Sequence, residues 1–238
     1  MIDFPIEKIL DICSSFGAEI TFDKKEKLNL YGNLLLEWNE KINLTAITDP
    51  EEVVIKHFLD CILFLKHIDI PQNAKVIDVG TGAGFPGVVL KIMREDIDLT
   101  LLDGLNKRLV FLDEVLSALS LNAKLVHARA EEASKKDEFR EQYDIACARA
   151  VARLNVLSEY CLPFVKPGGQ FVAMKGPSAA EEKAQAGKAI SLLGGGETKI
   201  ICEKLPTDEE RCFCFTKKIS QTPPKYPRIS AKISKQPL

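Results

Sequence analysis

The first seventy residues are predicted to form helices. In LNLYGNLLLEWNEKI the apolar positions recur every three or four residues, which is the spacing of one helix face: Leu28, Tyr31, Leu35, Trp38 and Ile42. Asp23 followed by Glu26 resembles a helix start signal. We therefore expect residues 1–70 to form an N-terminal helical cap.

A second helix in this region has a clearer start. Asp49 supplies a capping carboxylate, Pro50 suits the first helical turn, and the two glutamates that follow interact favourably with the helix dipole. This helix is predicted to run through His57 and Asp60 to about Lys66.

After Pro71 the hydrophobic pattern changes to short apolar runs rich in Val, Ile and Leu. There are seven of them: KVIDV, DLTLLD, KLVHA, YDIAC, QFVAM, TKIICEKL and RCFCFTKK. Helix-length segments separate most of these runs, which predicts a mostly parallel, doubly wound α/β sheet. Only PTDEE separates the last two, so they are expected to pair antiparallel at one edge. This Rossmann-like domain is expected over residues 71–220, with a C-terminal tail at 221–238.

The composition is that of a folded globular protein, because 46% of the 238 residues are apolar and 28% are charged. Asp3 and Glu7 stand where a secretory signal needs a basic flank, and no apolar run reaches membrane-spanning length. We expect a cytoplasmic location, no membrane association and a monomer. Seven cysteines include no C-x-x-C pair, so reduced, buried thiols are expected rather than disulfides. With three histidines and none at ligand spacing, no metal is expected.

Charge is distributed unevenly along the chain. From Arg211 to the end there are seven Lys or Arg and no acid, whereas residues 1–210 carry 25 basic and 34 acidic side chains. A basic segment on an acidic body is able to hold a polyanion such as RNA. The alternative is a solvated tail that only aids solubility.

The glycines in KVIDVGTGAGFPGV fit two different loops. Gly80, Gly82 and Gly84 give G-x-G-x-G, whereas the last three glycines of the stretch give the dinucleotide pattern G-x-G-x-x-G. Pro86 offers no N–H to a pyrophosphate, and Asp78 adds negative charge beside it. Both features suit S-adenosylmethionine, which has no phosphate and carries a sulfonium and an ammonium group.

Asp103 ends the second strand, where it is placed to accept hydrogen bonds from two ribose hydroxyls. Both nucleoside cofactors need such an acid. The turn after KLVHA, from Arg129 to Glu132, suits the adenine edge. No Asn or Asp followed by Pro-Pro and an aromatic residue, and no Pro-Cys or Thr-Cys dipeptide, follows the fourth strand, which disfavours methylation of an exocyclic amine or of a pyrimidine carbon.

Six ordered motifs make the resemblance specific. NLTAITDPEEVVIKHFLD, DVGTGAGFPG, DGLNKR, ARAVARL, AMKG and the terminal YPR with PL resemble the RsmG (GidB) family from Asn43 to Leu238. That family methylates N7 of a guanine in 16S ribosomal RNA. The resemblance implies a methyltransferase sheet, S-adenosyl-L-methionine as cofactor, and 16S RNA or the small ribosomal subunit as partner. The chain departs from the family pattern at Cys61, Arg153, Ala231 and Ile233.

The residue pattern and the resemblance together suggest the site residues. Those expected to bind the cofactor are Asp78, Gly80, Gly82, Gly84, Phe85, Asp103, Gly104, Leu105, Ala130, Glu131 and Arg149. Those expected to bind substrate are His57, Asp60, Lys175, Lys225 and Arg228. N7 of guanine has a free lone pair and no proton to lose, so no general base is required, and Arg149 and Lys175 are candidates for positioning only.

Several alternatives stay open at this stage. Arg149 suits the methionine carboxylate, an RNA phosphate or a surface ion pair. Lys175 suits a phosphate or the guanine O6, or is a snorkelling lysine. Rival functions are a small-molecule methyltransferase, a non-catalytic RNA-binding assembly factor and a nicotinamide-dependent oxidoreductase.

Overall fold

Seven strands form one sheet in a computed structural model that describes all 238 residues. They are β1 (Lys75–Val79), β2 (Asp98–Asp103), β3 (Lys124–His127), β4 (Tyr143–Arg149), β5 (Val165–Lys175), β6 (Gly195–Lys204) and β7 (Glu210–Lys218). Their order across the sheet is β3-β2-β1-β4-β5-β7-β6. The first five are parallel, and β7 runs antiparallel to both β5 and β6. The predicted doubly wound sheet with an antiparallel pair at one edge is confirmed.

Helices cover both faces of this sheet. They are α1 (Glu7–Ser14), α2 (Phe22–Asn39), α3 (Pro50–Val53), α4 (Asp60–Ile62), α5 (Phe64–His67), α6 (Gly87–Met93), α7 (Asn106–Ala118), α8 (Ala130–Ala133), α9 (Leu154–Cys161), α10 (Ala179–Leu192) and α11 (Ser230–Lys235). A single 3₁₀ turn, Leu162–Phe164, follows α9. No helix is both long enough and apolar enough to cross a membrane.

The N-terminal region is helical as predicted, with two differences in detail. Helix α2 begins after Thr21, whose hydroxyl accepts a hydrogen bond from Lys24 N at 3.4 Å, so the start inferred at Asp23 is two residues late. Asp49 caps α3 as expected, accepting from Glu52 N at 3.0 Å. Between α3 and α4 the chain forms a wider π-helical turn, Val54–Leu59, a feature that often occurs at functional sites.

Two apolar clusters hold the layers together. One lies between the N-terminal helices, α6, α7 and one face of the sheet, and includes Phe4, Tyr31 and Leu101. The other lies on the opposite face between α9, α10 and the C-terminal segment, and includes Leu157 and Tyr226. Because the N-terminal helices share a core with the sheet, they are fixed relative to the strand ends. The division into three sequence regions stays a prediction.

The cysteines depart from the sequence expectation. Five of them are free and buried, as expected: Cys13, Cys61, Cys147, Cys161 and Cys214. Cys202 and Cys212, however, form a disulfide between β6 and β7. The two residues are direct partners in the strand register, with Cα atoms 4.0 Å apart, so the antiparallel pairing itself brings them together. Spacing along the sequence does not show this pairing.

The strand order places a crevice at the middle of the sheet. Strand β1 lies between β2 and β4. From β1 the sheet is built through β2 to β3 on one side, and the chain then crosses to β4 and β5 on the other side. Ligands of doubly wound proteins bind outside the carboxyl ends of the strands at such a switch point. Both cavities described below lie at this edge.

Candidate functional site

The glycine loop follows β1 and adopts the G-x-G-x-G arrangement. Gly80, Gly82 and Gly84 have φ values of +72°, +60° and +97°, a region that side chains rarely occupy. Gly80 N and Thr81 N donate to Leu102 O at 2.8 and 3.0 Å, which ties the loop to the end of β2. The loop is therefore held against the second strand, where the predicted ribose acid lies.

Asp78 decides between the two glycine patterns. Its side chain is fully buried, and its Oδ2 accepts from Gly87 N at 2.9 Å and from Thr81 Oγ1 at 2.7 Å. The carboxylate thus occupies the start of α6, where a dinucleotide pyrophosphate would need free N–H groups. Gly87 is needed for packing, because a Cβ there would lie 2.5 Å from Leu101. The hydrogen bond from Gly87 N to Asp78 Oδ2 therefore excludes the dinucleotide interpretation of the glycines.

The Asp78 carboxylate is able to accept further hydrogen bonds. Asp78 Oδ1 is buried and has no hydrogen-bond partner. Burial raises the pKa of this group to about 6, although the hydrogen bonds from Thr81 and Gly87 oppose that shift. A cationic group beside Oδ1 would satisfy the oxygen and restore the ionised form.

A cavity of about 520 Å³ opens at the carboxyl ends of β1, β2 and β3 and beside β4, a size suited to a small-molecule ligand. Six of the predicted cofactor residues line it: Gly80, Asp103, Gly104, Leu105, Ala130 and Glu131. The other five lie outside its lining: Asp78, Gly82, Gly84, Phe85 and Arg149. Of these, Gly82 contacts Asp103, and Asp78 lies beneath the loop. We call this space the cofactor cavity.

Asp103 is held at the end of β2 by three donors. Its Oδ2 accepts from Gly82 N at 2.9 Å and from Arg108 Nη1 at 3.2 Å, and its Oδ1 accepts from Leu105 N at 2.8 Å. A carboxylate offers about four acceptor positions, so one is left. Binding a ribose diol through both hydroxyls therefore requires Arg108 to give up its contact. Sequence reasoning missed Arg108, although it lies in the DGLNKR motif at the start of α7.

A second cavity, of about 330 Å³, lies beside the first at the ends of β4 and β5 and the start of β7. Ala150 lines both. The residues around the second cavity are mostly polar: Ile47, Lys56, His57, Asp60, Arg149, Ala150, Met174, Lys175, Gly176 and Arg211. We call it the base cavity. It brings together four of the predicted site residues.

The sequence left open whether Arg149 faces the cofactor or the substrate. In the structure Arg149 lines the base cavity and not the cofactor cavity. Its guanidinium donates to Asp60 Oδ2 at 3.0 Å, to Lys56 O at 3.1 Å and to His57 Nδ1 at 3.0 Å. The group also stacks over the ring of Phe85, 4.8 Å from its centroid. Phe85 therefore supports Arg149 from below and does not form part of the cofactor-cavity wall.

His57 is a neutral side chain in this arrangement. Arginine is always a donor, so its contact makes Nδ1 an acceptor, although Nδ1 also lies 3.2 Å from Lys56 O. We therefore assign the proton to Nε2, 2.9 Å from Thr45 Oγ1. The imidazole stacks on Phe85 with centroids 4.5 Å apart. Burial, and then the nearby Arg149 charge, lower the pKa of His57 to about 3. A ring with both nitrogens occupied is poorly suited to act as a base.

Asp60 keeps one oxygen free. Its Oδ1 is buried without a hydrogen bond and lies 3.7 Å from Arg211 Nε, too far for such a bond. Burial raises the pKa of Asp60, and the Arg149 charge opposes that shift. Arg211 is otherwise bonded to Glu209 at 2.8 Å and to a backbone carbonyl. The sequence marked Arg211 only as the start of the basic segment, so its place in the cavity was missed.

Lys175 is not free to bind a phosphate. Its Nζ donates to Ala152 O and pairs with Glu182 Oε2 at 2.8 Å, and its side chain is only 9% exposed. Glu182 also accepts from Leu154 N at 2.7 Å. Although burial raises it, these bonds hold the pKa of Glu182 below its usual range. Lys175 lines the base cavity but is engaged in an ion pair that fixes the loop after β4, and its contact with substrate stays a prediction.

The two predicted substrate residues of the tail also lie apart from the base cavity. Arg228 is bound to Glu159, with Nη2 to Oε2 at 2.7 Å, so its charge is already compensated. Lys225 is exposed, with its Nζ 5.3 Å from the Tyr226 ring centroid. The pairing with Glu159 speaks against Arg228 as an RNA contact, and the substrate roles of Arg228 and Lys225 stay predictions.

Only one group of side chains has the donors and spacing of a metal site, namely Cys202, Glu210 and Cys212. Two of its three members are joined in the disulfide. The group lies in neither cavity.

Comparison with known proteins agrees with this geometry. The family model of rRNA small subunit methyltransferase G matches residues 24–211. The chain belongs to that family. It is 50% identical over 230 residues to the Ribosomal RNA small subunit methyltransferase G of Clostridium perfringens, covering 95% of each chain. The protein of the same name from Desulforamulus reducens is 49% identical over 228 residues, covering 93% of this chain and 95% of its own.

Solved structures support the fold alone. A putative methyltransferase from Bacillus halodurans superimposes with a TM-score of 0.52 at 12% identity, over 68% of this chain and all of that one. A SAM-dependent O-methyltransferase from Thermotoga maritima gives the same TM-score and identity over 79% of this chain and 72% of its own. These two structures show the fold of this chain only, and the site must be argued from the chain's own residues.

Proposed function

We propose that this chain uses S-adenosyl-L-methionine to methylate N7 of a specific guanine in 16S ribosomal RNA. Family membership supports the reaction, and one structural observation carries it: a nucleoside-sized cavity without a pyrophosphate position adjoins a polar cavity at Ala150. The adjoining walls allow a methyl donor and a purine to approach each other. Positioning of this kind is able to supply roughly 7 to 11 kcal/mol of the barrier.

The residues at the first cavity fit the cofactor. Asp103 offers the ribose acceptor and Gly80 permits close backbone approach. Asp78 is buried beneath the same loop, outside the cavity lining, and keeps Oδ1 without a partner. When bound, S-adenosylmethionine supplies an electrophilic methyl group on a sulfonium. Glu131, buried at the start of α8, is available to the adenine edge.

The base cavity fits a methyl transfer that needs no general base. His57 is neutral and both of its nitrogens are occupied, so it is not a free general base. A purine gains positive charge as N7 is methylated, and the Asp60 carboxylate in the lining of this cavity would stabilise a purine bound there. Arg149 orients this carboxylate through Oδ2, which leaves Oδ1 facing Arg211.

Asp60 and Arg211 give the cavity a way to recognise the base. The pair presents an unused acceptor beside a donor, and the guanine edge carries O6 as acceptor next to N1–H and N2–H as donors. We include Arg211 and Asp60 in the proposed substrate site, together with Arg149 and His57. We also propose that the protein acts as a monomer, without a metal, in the cytoplasm where its ribosomal substrate resides.

The decisive experiment is methylation of small-subunit RNA, and separately of whole small subunits, from a strain that lacks this activity. The protein is supplied with labelled S-adenosylmethionine, and N7-methylguanine is mapped by reduction and strand cleavage. We expect one cleavage position, lost in Arg149→Ala and retained in Lys188→Ala, which removes an exposed charge from α10.

Three other results would reject the proposal, each in a different way. Label in a small molecule but not in RNA indicates a small-molecule methyltransferase. RNA binding without transfer indicates an assembly factor. Thermal stabilisation by NADH but not by S-adenosylhomocysteine indicates an oxidoreductase.

A further inference from the structure

The C-terminal segment folds back onto the body of the protein. Arg140 donates to Thr222 O at 2.8 Å and to Tyr226 O at 3.0 Å, and Glu141 accepts from Thr222 N at 2.7 Å. Ile233 of α11 is fully buried. The segment from 221 to 238, which the charge pattern suggested as an RNA-binding arm, is therefore docked in place.

A buried ion pair forms the second anchor. Glu159, on α9, has a side chain only 1% exposed. Arg228 approaches it with three groups: backbone N at 2.8 Å, Nε at 2.9 Å and Nη2 at 2.7 Å. These are the only hydrogen bonds that Glu159 accepts, so a single residue of the tail satisfies this carboxylate. A buried charge paired in this way is costly to leave alone.

Both partners of the pair lie next to the cofactor cavity. Tyr160, which follows Glu159 on α9, is part of its lining. Ser230, two residues after Arg228, is part of it as well, and it begins α11. The Arg228–Glu159 pair itself lies outside the cavity lining. It thus connects two wall residues, Tyr160 of the sheet domain and Ser230 of the tail.

We propose that the C-terminal segment forms a wall of the cofactor site and that Arg228 is a positioning residue for the cofactor, acting through Glu159 on Tyr160 and Ser230. Only the identity of the ligand rests on the proposed function. The role assigned to Arg228 is the opposite of phosphate binding, because its guanidinium is turned toward a buried acid. The exposed lysines of the segment, Lys225 and Lys232, do not share this role.

The test compares Arg228→Ala and Arg228→Lys with the matched control Lys232→Ala, which removes an exposed charge from the same segment. Affinity for S-adenosylhomocysteine is measured by calorimetry, and affinity for small-subunit RNA is measured over a salt series. We expect Arg228→Ala to weaken cofactor binding by about ten- to a hundredfold, as a displaced supporting contact does. Arg228→Lys should recover part of this loss, the control should bind cofactor normally, and the salt slope of RNA binding should stay constant in the Arg228 variants.

The proposal is overturned if Arg228→Ala binds cofactor normally, and above all if its RNA salt slope then falls by about 0.7 to 0.9, the change expected for one lost phosphate contact. Wild-type protein is measured first. If it fails to bind S-adenosylhomocysteine, the proposed function is rejected rather than the role of the tail.

A second variant keeps the test valid if Arg228→Ala does not fold. Ser230→Trp leaves the Arg228–Glu159 pair intact and places a bulky ring at the cavity wall. We expect it to melt close to the wild-type temperature and to raise the KM for S-adenosylmethionine with little change in the KM for RNA. Normal cofactor affinity in folded Ser230→Trp would also overturn the proposal.

Discussion

Replacing Asp103 by alanine tests the centre of the cofactor cavity. The side chain is 3% exposed and accepts from Gly82 N, Leu105 N and Arg108 at 2.8 to 3.2 Å. Alanine removes the ribose acceptor and frees both loop N–H groups. The change therefore acts on the ligand directly and on the glycine loop that approaches it.

The magnitude follows from the number of contacts. A hydrogen bond to a charged acceptor contributes about 1.5 to 3 kcal/mol, and one such contact to the ribose corresponds to a loss of about 10- to 150-fold in affinity. Asparagine keeps the volume and one oxygen but accepts only about half as many bonds. We expect Asp103→Asn to fall between wild type and Asp103→Ala.

Calorimetric titration with S-adenosylhomocysteine gives the affinity, and thermal unfolding without ligand gives the stability. Asp113→Ala is the matched control, because it removes an exposed carboxylate from α7 outside the cofactor cavity. Affinity of Asp103→Ala within twofold of wild type would refute the reasoning. So would an affinity loss that matches the destabilisation of the ligand-free protein, since the defect would then lie in the loop alone.

Three further outcomes are expected. Gly82→Val should greatly weaken cofactor binding, because valine disfavours the φ of +60° and a shifted loop would lose the hydrogen bond from Gly82 N to Asp103. The change should cost roughly 1 to 2 kcal/mol of stability. Normal S-adenosylhomocysteine binding in this variant would mean that the ligand lies elsewhere. Arg149→Lys should lower the rate of methyl transfer to RNA and leave cofactor affinity unchanged. The reason is that lysine cannot bond Asp60 and His57 together. A weaker cofactor affinity at unchanged turnover would show that Arg149 serves the cofactor cavity instead. His57 has a pKa lowered from 6.5 to about 3, so its neutral ring contributes stability above pH 6.5 that is lost as the pH falls toward 3. Urea unfolding of His57→Gln should accordingly show a flatter pH dependence between pH 6.5 and 5 than wild type, and parallel curves would contradict a buried neutral ring.

Much of the fold could be predicted from the sequence because local patterns determine it. Each strand lies on an apolar run, since buried parallel strands must be apolar on both faces. The Asp49 cap and the short PTDEE connection likewise act within a few residues. The π-helical turn could not be predicted, because no residue type marks it, yet it carries Lys56 and His57.

The cofactor side of the site was also largely predictable. Residues at the carboxyl ends of successive parallel strands meet at one edge, so Gly80, Asp103 and Ala130 fall into one cavity. Phe85 and Arg149 were expected there as well. Arg149 lines the base cavity instead, and Phe85 stacks against its guanidinium and lines neither cavity.

The sequence by itself determined the strand and helix order, the glycine loop and the acid that ends β2, because each depends on the backbone of a short stretch. Only the tertiary structure decided which charges are free. Arg228 looked free, but it meets Glu159, 69 residues away in the chain. Lys175 also looked free, but it pairs with Glu182 where α10 packs back beside the end of β5. Arg211 looked like the start of a basic tail, yet the reversed strand brings it to Asp60. Pairing of charges depends on distances between elements, and packing of the elements sets those distances.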